Sequence, residues 1–233
     1  MVELSQTSAP RLKRRIQSFV GREGRLTPAQ KRALETLWPL YGLDTQAPFD
    51  ADRVFCRQAP LILEIGFGNG ESLLEMARSH PQFNYLGIEV HRPGVGHLLL
   101  ALKRYELNNV RIYCADAVEI LRERIRDQAL QRINIFFPDP WPKKRHHKRR
   151  LIQPDFVSMA MRKLQPDGFL HLATDWPDYA RTMQEAVATC PALHPIPVSR
   201  LHPARPRTKF EKRGLRLGHR VTDLAYIKHV GGL

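Results

Sequence analysis

Leu61-Ile62-Leu63-Glu64-Ile65-Gly66-Phe67-Gly68-Asn69-Gly70 is a short apolar run that stops in three glycines at alternate positions. An apolar run of about four to eight residues bounded by turn residues suits a strand buried on both faces. Glycine lacks a Cβ, so Gly66-x-Gly68-x-Gly70 can turn tightly and bring backbone close to a ligand. A helical pattern follows through Leu73, Leu74, Met76 and Ala77. The stretch predicts a strand, a glycine turn and a helix.

The same rhythm continues downstream. Residues 84–88 form a second strand ending in Glu89, and 94–105 its helix. Residues 110–114 form a third, followed by Ala115-Asp116 and a helix to about Asp127. Ile133 to Phe137 is the fourth strand, and Gln153 to Leu164 a helix stopped by Pro166-Asp167-Gly168. The fifth strand, Phe169 to Ala173, ends in Thr174-Asp175, with a helix from Tyr179 to Thr189. Strands and helices alternating in this way predict a parallel, doubly wound sheet. The Pro-rich stretch 191–206 breaks the rhythm, and a last strand, Leu224 to Val230, closes the chain.

Upstream, residues 1–10 are small and polar and read as a disordered tail. Residues 11–25 are basic, with Arg11, Lys13, Arg14, Arg15, Arg22 and Arg25. They read either as a solvated arm or as one that orders on nucleic acid. Thr27 is a natural N-cap, with Pro28 in the first turn of a helix reaching Leu37. Residues 39–53 read as irregular. Residues 1–55 are too few for their own core, so they are expected to pack as a basic extension on a domain of residues 56–233.

The chain has 233 residues and a formal charge of +14, from 37 Lys and Arg against 23 Asp and Glu. With no charged tail to account for it, this excess points to a polyanionic partner. Cys56, Cys114 and Cys190 are far apart and in no metal-binding spacing, which fits reduced thiols in a cytoplasmic protein. The ten histidines show no ligand spacing either, so no metal is expected. No stretch approaches the roughly 20 apolar residues of a membrane span.

In open α/β sheets, ligands bind beyond the carboxyl ends of the strands. Five polar features fall there: the glycine loop, Glu89, Asp116, Asp139 and Asp175. One such acid could be a helix cap; five at successive ends outline a pocket. Glu89 is placed to accept from ribose hydroxyls. The glycine spacing is not the G-x-G-x-x-G of dinucleotide sites, and Glu64 would oppose a phosphate. A carboxylate there suits a cationic ligand, such as the sulfonium and ammonium groups of S-adenosylmethionine.

The fourth strand runs into Phe136-Phe137-Pro138-Asp139-Pro140-Trp141-Pro142-Lys143-Lys144-Arg145-His146-His147-Lys148-Arg149-Arg150-Leu151. Prolines fix their own φ and restrict the residue before them, so this is a stiff, shaped loop. An acid, an aromatic plate and a bank of cations suggest a site for something flat and anionic. Alone, Lys143 to Arg150 would read as a solvated charge run.

Glu64-Ile65-Gly66-x-Gly68-x-Gly70, with Glu89 and Asp116, resembles the first motifs of class I methyltransferases. The loop 137–150 resembles the signature of the tRNA (guanine-N7-)-methyltransferases of the bacterial TrmB type. So do Gly87-Ile88-Glu89-Val90-His91, Gly94-Val95-Gly96, Ala173-Thr174-Asp175-Trp176 and Thr208-Lys209-Phe210-Glu211-Lys212-Arg213. Ser18-Phe19-Val20 and Gly24-Arg25-Leu26-Thr27 resemble that family's N-terminal arm, although Gln17 stands where a basic residue is usual. The resemblance spans about Arg15 to Val230. It implies a Rossmann-like class I methyltransferase sheet, mostly parallel with an antiparallel C-terminal strand. It also implies S-adenosylmethionine as methyl donor and the guanosine at position 46 of the tRNA variable loop as target. Glu64, Gly66, Gly68, Gly70, Glu89, Asp116 and Asp139 would line the donor site, with Asp139 catalytic. Lys143, Asp175, Thr208, Lys209, Phe210 and Glu211 would hold the guanosine. Arg145, His146, His147, Lys148, Arg149 and Arg150 would lie against the tRNA backbone. No obligate protein partner is implied; the chain would act as a monomer or homodimer.

Guanine N7 has a free lone pair, so alignment and a carboxylate beside the developing cation suffice. Asp139 is therefore catalytic by position and electrostatics rather than a compulsory base. Trp141 would either stack on an extruded base or pack as the loop's floor. The competing readings are a methylase of exocyclic amino groups, a non-catalytic tRNA-binding protein on the same fold, and a nicotinamide enzyme. The first favours a neutral amide where this chain has Asp139; the second leaves the strand-end acids without a purpose; the third conflicts with the glycine spacing and Glu64.

Overall fold

β1 (Leu61–Ile65) and β4 (Leu130–Phe136) lie side by side in the middle of a seven-stranded sheet. The structure, a computed structural model, describes residues 24–207, 211, 218 and 220–229. The strand order is β3-β2-β1-β4-β5-β7-β6, with β2 (Asn84–Ile88), β3 (Val110–Tyr113), β5 (Leu164–Thr174), β6 (Leu193–Ile196) and β7 (Thr222–Lys228). The first five strands pair in parallel, while β7 runs antiparallel to both β5 and β6. The chain leaves β1 towards β2 on one side and returns from β3 to β4 on the other. That reversal opens a crevice at the carboxyl ends of β1 and β4.

Each face of the sheet carries its own core. Leu61, Leu63 and Ile65 pack among α6 (Ala117–Glu123), α7 (Pro154–Lys163) and α8 (Pro177–Ala188). Ile62, between them, packs with α4 (Glu71–Ser79) and α5 (Arg92–Arg104). Because successive strand side chains point to opposite faces, Ile65 and Glu64 open onto different sides of the crevice.

The described N-terminal residues reach both faces, Ala33 and Tyr41 packing in the second core and Phe49 and Phe55 in the first. α1 (Pro28–Thr36) begins with a capping box, in which Thr27 Oγ1 accepts from Gln30 N at 3.2 Å and Gln30 Oε1 from Thr27 N at 2.9 Å. Gln30 Nε2 donates to Pro93 O at 3.1 Å, and a side chain at Gly96 would lie 2.8 Å from Gln30 Cβ. Residues 39–53, expected to be irregular, hold most of α2 (Trp38–Tyr41) and the start of α3 (Ala51–Phe55). Leu43 N donates to Ile112 O at 2.9 Å, covering the outer edge of β3. Tyr41, Phe49 and Phe55 are buried.

Two further expectations need correction. Pro166-Asp167-Gly168 is not a helix stop outside the sheet but part of β5, which begins directly after α7. The ladder absorbs it through a register shift opposite Leu130 and Arg132, with Asp167 at φ 58°. The Pro-rich stretch 191–206 contains β6. As the last strand of the sheet, β6 tolerates Pro195, because a proline at an edge breaks no ladder on its free side. The start of the basic arm, residues 11–23, lies outside the described residues, and none of the described helices is long and apolar enough to cross a membrane.

Candidate active site

The glycine turn after β1 is built for an approaching ligand. Gly66, Gly68 and Gly70 have φ of 71°, 57° and 78°, a region that favours glycine. A Cβ on Gly66 or Gly68 would meet nothing within 4 Å, so both face open space. Gly70 is different: a Cβ there would strike Leu98 at 2.7 Å, and it packs α4 against α5. Glu89 ties the turn to β2. Its Oε2 accepts from Gly68 N at 2.8 Å, and its Oε1 accepts from Val90 N at 2.7 Å and His91 N at 2.8 Å.

A cavity of about 300 Å³ lies on the α6/α7 side of this turn. Apolar side chains of Ile65, Ile88, Ile135 and Leu151 form its walls, and the carboxylates of Glu89, Asp116 and Asp139 line it. Asp116 also caps α6, accepting from Val118 N at 2.9 Å. An apolar slot with acids around it fits a flat base joined to a ribose.

A second cavity, of about 370 Å³, lies on the α4 side. Gly66, Phe136 and Phe137 line both cavities, so one wall separates them. Glu64, Gly68, Ser72, Asp175 and Glu211 also line the second. Glu64 is buried, and burial pushes its carboxyl up to about 8 from an ordinary 4.5. Its Oε2 has no hydrogen-bond partner within bonding distance among the described residues, and Ser72 is the side chain that tempers the shift most. A buried carboxylate oxygen without a partner is costly, and a cationic group in this cavity would satisfy it. The residues present thus fit a ligand carrying an adenosine at one end and an ammonium and sulfonium at the other.

The loop beyond β4 is strained and braced. Phe137 and Trp141 have φ of 52° and 44°, uncommon for bulky residues and worth about 1–3 kcal/mol each. Arg150 supplies much of the bracing. It is buried, with Nε donating to Pro140 O at 2.9 Å, one terminal nitrogen to Thr182 Oγ1 at 3.0 Å and the other to Asp178 Oδ2 at 2.6 Å. Its guanidinium also lies 4.8 Å from the Tyr179 ring centre. Trp141 packs on its own loop, edge-on to His146 and under the Arg149 guanidinium. Lys144–Arg149 form a short 3-10 turn whose residues are exposed or half-buried.

A buried ionic network supports the second cavity. Arg205 donates to both carboxylate oxygens of Glu211 and of Asp223, and Asp223 also bonds His171 Nε2 at 2.9 Å. The hydrogen bonds from His171 and Arg205 hold the Asp223 carboxyl well below its ordinary range despite burial. The Arg205 guanidinium lies over Phe136 and Phe137, 5.4 and 5.5 Å from their ring centres. It therefore fixes a wall residue of each kind, acidic and aromatic.

Residues 58–224 match a family model described as "Putative methyltransferase". A tRNA (guanine-N(7)-)-methyltransferase of Alkalilimnicola ehrlichii is 58% identical over 222 residues, covering 93% of this chain and 94% of the relative. The chain belongs to the tRNA (guanine-N(7)-)-methyltransferase family. A second member, from Nitrosococcus oceani, is 54% identical, covering 93% of this chain and 92% of the relative. The sheet also resembles that of a 16S rRNA adenine-N(1) methyltransferase variant from Catenulisporales acidiphilia, solved with cosubstrate SAM. There the TM-score is 0.54 at 14% identity, over 79% of this chain and 93% of that one, a likeness of fold.

Within this family frame the expected site residues separate into groups. Glu89, Asp116 and Asp139 converge on the first cavity, and Glu64, Gly68, Asp175 and Glu211 on the second. Gly66 belongs to both. Gly70 lines neither, and the contact a Cβ there would make with Leu98 gives it a packing role rather than a donor contact. Arg150 also departs from its expected place: a side chain held by Pro140, Thr182 and Asp178 faces inward and not towards an RNA phosphate. Lys143 is exposed and lines neither cavity. Thr208, Lys209 and Phe210 lie outside the described residues. Arg205, His171 and Asp223 were missed. The only signal for His171 and Asp223 was a polar residue inside a strand, and Arg205, in the connection before β7, had none.

Proposed function

We propose that this chain transfers the methyl group of S-adenosylmethionine to N7 of the guanosine at position 46 of tRNA, in the cytoplasm. The observation that carries this reading is the wall of Gly66, Phe136 and Phe137 shared by two differently built cavities. The first suits a nucleoside and the second a cationic group beside a base.

When bound, the donor supplies an electrophilic methyl: the N7 lone pair forms the new C–N bond while the S–C bond breaks, leaving a neutral thioether and a cationic base. Glu89 and Asp116 hold the nucleoside end, and Glu64, once ionised, pairs with a cationic group. Asp175 and Glu211 accept from the N–H donors on the guanine edge, which adenine does not offer in the same pattern. Asp139, exposed at the rim of the first cavity, stabilises positive charge developing on the base. The Arg150 brace and the loop prolines keep that carboxylate in place, so little reorganisation accompanies transfer. Exposed Lys148 and Arg149 contact the tRNA backbone.

Labelled methyl transfer to unmodified tRNA transcripts tests the proposal, with the variable-loop guanosine present or replaced by adenosine. Nucleoside analysis should find 7-methylguanosine in the first transcript only. Transfer to a transcript carrying 7-deazaguanosine at that position would refute N7 as the acceptor.

A further inference from the structure

Beside the donor cavity, on the outer side of Asp116 and Leu151, a groove of about 340 Å³ opens between α6 and α7. Arg122 from α6, Lys148 and Arg149 from the 3-10 turn and Arg162 from α7 converge on it. All four are exposed, and among the described residues none of them enters an ion pair. Two other cations on the wall are already committed. Arg150 is paired with Asp178, and Lys163 Nζ donates to Asp127 Oδ1 and Ile125 O, both at 2.7 Å. The carboxylates on the wall are Asp116 and Asp155, and Asp116 is also occupied in capping α6.

Convergent cations held on three different elements repel one another unless an anion joins them. Three of the four are arginines, whose planar fork matches phosphate oxygens two at a time. Lys148 and Arg149 make the groove continuous with the basic loop. We propose that this groove is a subsite for a backbone phosphate of the tRNA, with Arg122 and Arg162 as contact residues. The inference rests on tRNA being the substrate. It extends the RNA surface from the loop onto the α6/α7 side. Neither residue lies in a basic run, so neither has a sequence signature.

The test compares two double variants by filter binding of an unmodified tRNA transcript across a salt series. Arg122→Gln with Arg162→Gln should weaken binding at least tenfold at low salt. It should also flatten the log–log salt slope by about 0.7–0.9, the contribution of the one phosphate no longer neutralised. Lys31→Gln with Lys103→Gln removes the same charge from exposed positions on the opposite face and should leave slope and turnover as they are. S-adenosylmethionine affinity, measured by calorimetry, should stay within twofold in both and reports intact folding. An unchanged slope in the arginine variant overturns the subsite. Equal losses in the two variants overturn it too, because binding then follows overall charge. A parallel loss of S-adenosylmethionine affinity would make the groove a support for the donor cavity, again against the proposal. If the unaltered protein fails to bind tRNA, the substrate assignment itself fails, and no variant is needed to see it.

Discussion

The first cavity takes its acids from one repeated position, the residues just past β2, β3 and β4, which supply Glu89, Asp116 and Asp139. The second takes them from unlike places: Glu64 inside β1, Asp175 past β5, and Glu211 in the connection between β6 and β7. In the first, Asp139 is exposed, Asp116 half-buried and Glu89 buried but held by three backbone N–H groups; in the second, Glu64 is buried with an oxygen unpartnered. The first is thus assembled by strand geometry and remains accessible to water. The second needs tertiary support, which Arg205 supplies by holding Glu211 and Asp223 together. A site made from local rules tolerates local damage, whereas one made by convergence depends on its clamp.

That contrast predicts the largest effect at Arg205. Arg205→Ala would take from Glu211 and Asp223 the guanidinium that clamps them together and should destabilise the fold by about 3–5 kcal/mol, read by urea denaturation. Arg205→Lys should recover part of the stability but not the two-pronged hold on Glu211, so the KM for tRNA should stay raised. A loss under about 1 kcal/mol would mean that the second cavity does not rest on this clamp.

Asp139→Ala should lower turnover by about 10²–10³-fold, the range seen when one stabiliser of developing charge is removed. Single-turnover methyl transfer measures it, with tRNA affinity expected to remain within a few-fold. Equal losses in both would make Asp139 a loop support and erase its distinction from Arg205.

Gly68→Ala should cost about 1–2 kcal/mol in folding, because its φ of 57° crowds any Cβ. The added methyl would also enter the open space facing the second cavity. S-adenosylmethionine affinity measured by calorimetry should fall further than tRNA affinity.

Glu64 should also give the stability a pH dependence. Glu64 has its folded-state pKa raised to about 8 from 4.5. Between those values the folded protein keeps a proton that the unfolded chain has lost. Stability from this group is therefore greatest at low pH and declines as pH rises through that window, levelling off above it. Thermal melts over pH should show a shallower decline for Glu64→Gln than for the unaltered protein. In the latter, stabilisation by S-adenosylmethionine should grow with pH across the same range. Parallel curves would show that Glu64 does not titrate there.

Legibility in the sequence followed the same division. The glycine turn, Glu89, Asp116 and Asp139 could be read because a strand followed by a turn leaves a fixed local pattern. Arg150 misled that reading, since a cation within a basic run looks solvated until its partners, Thr182 and Asp178, are brought beside it. β6 was hidden because its proline argues against a strand, and only its position at the sheet edge makes Pro195 acceptable.

The amino-acid order by itself determined the alternating α/β plan, the strand-end acids and the family, because these depend on periodicity and on short motifs. The tertiary structure decided which side of the sheet each acid serves, that Gly70 packs while Gly66 and Gly68 open, and that Arg150 and Arg205 turn inward. These are matters of which distant groups meet. Whether a charge is solvated or clamped depends on partners that stand as many as 32 positions away for Arg150 and 18 for Arg205, distances that no local pattern encodes.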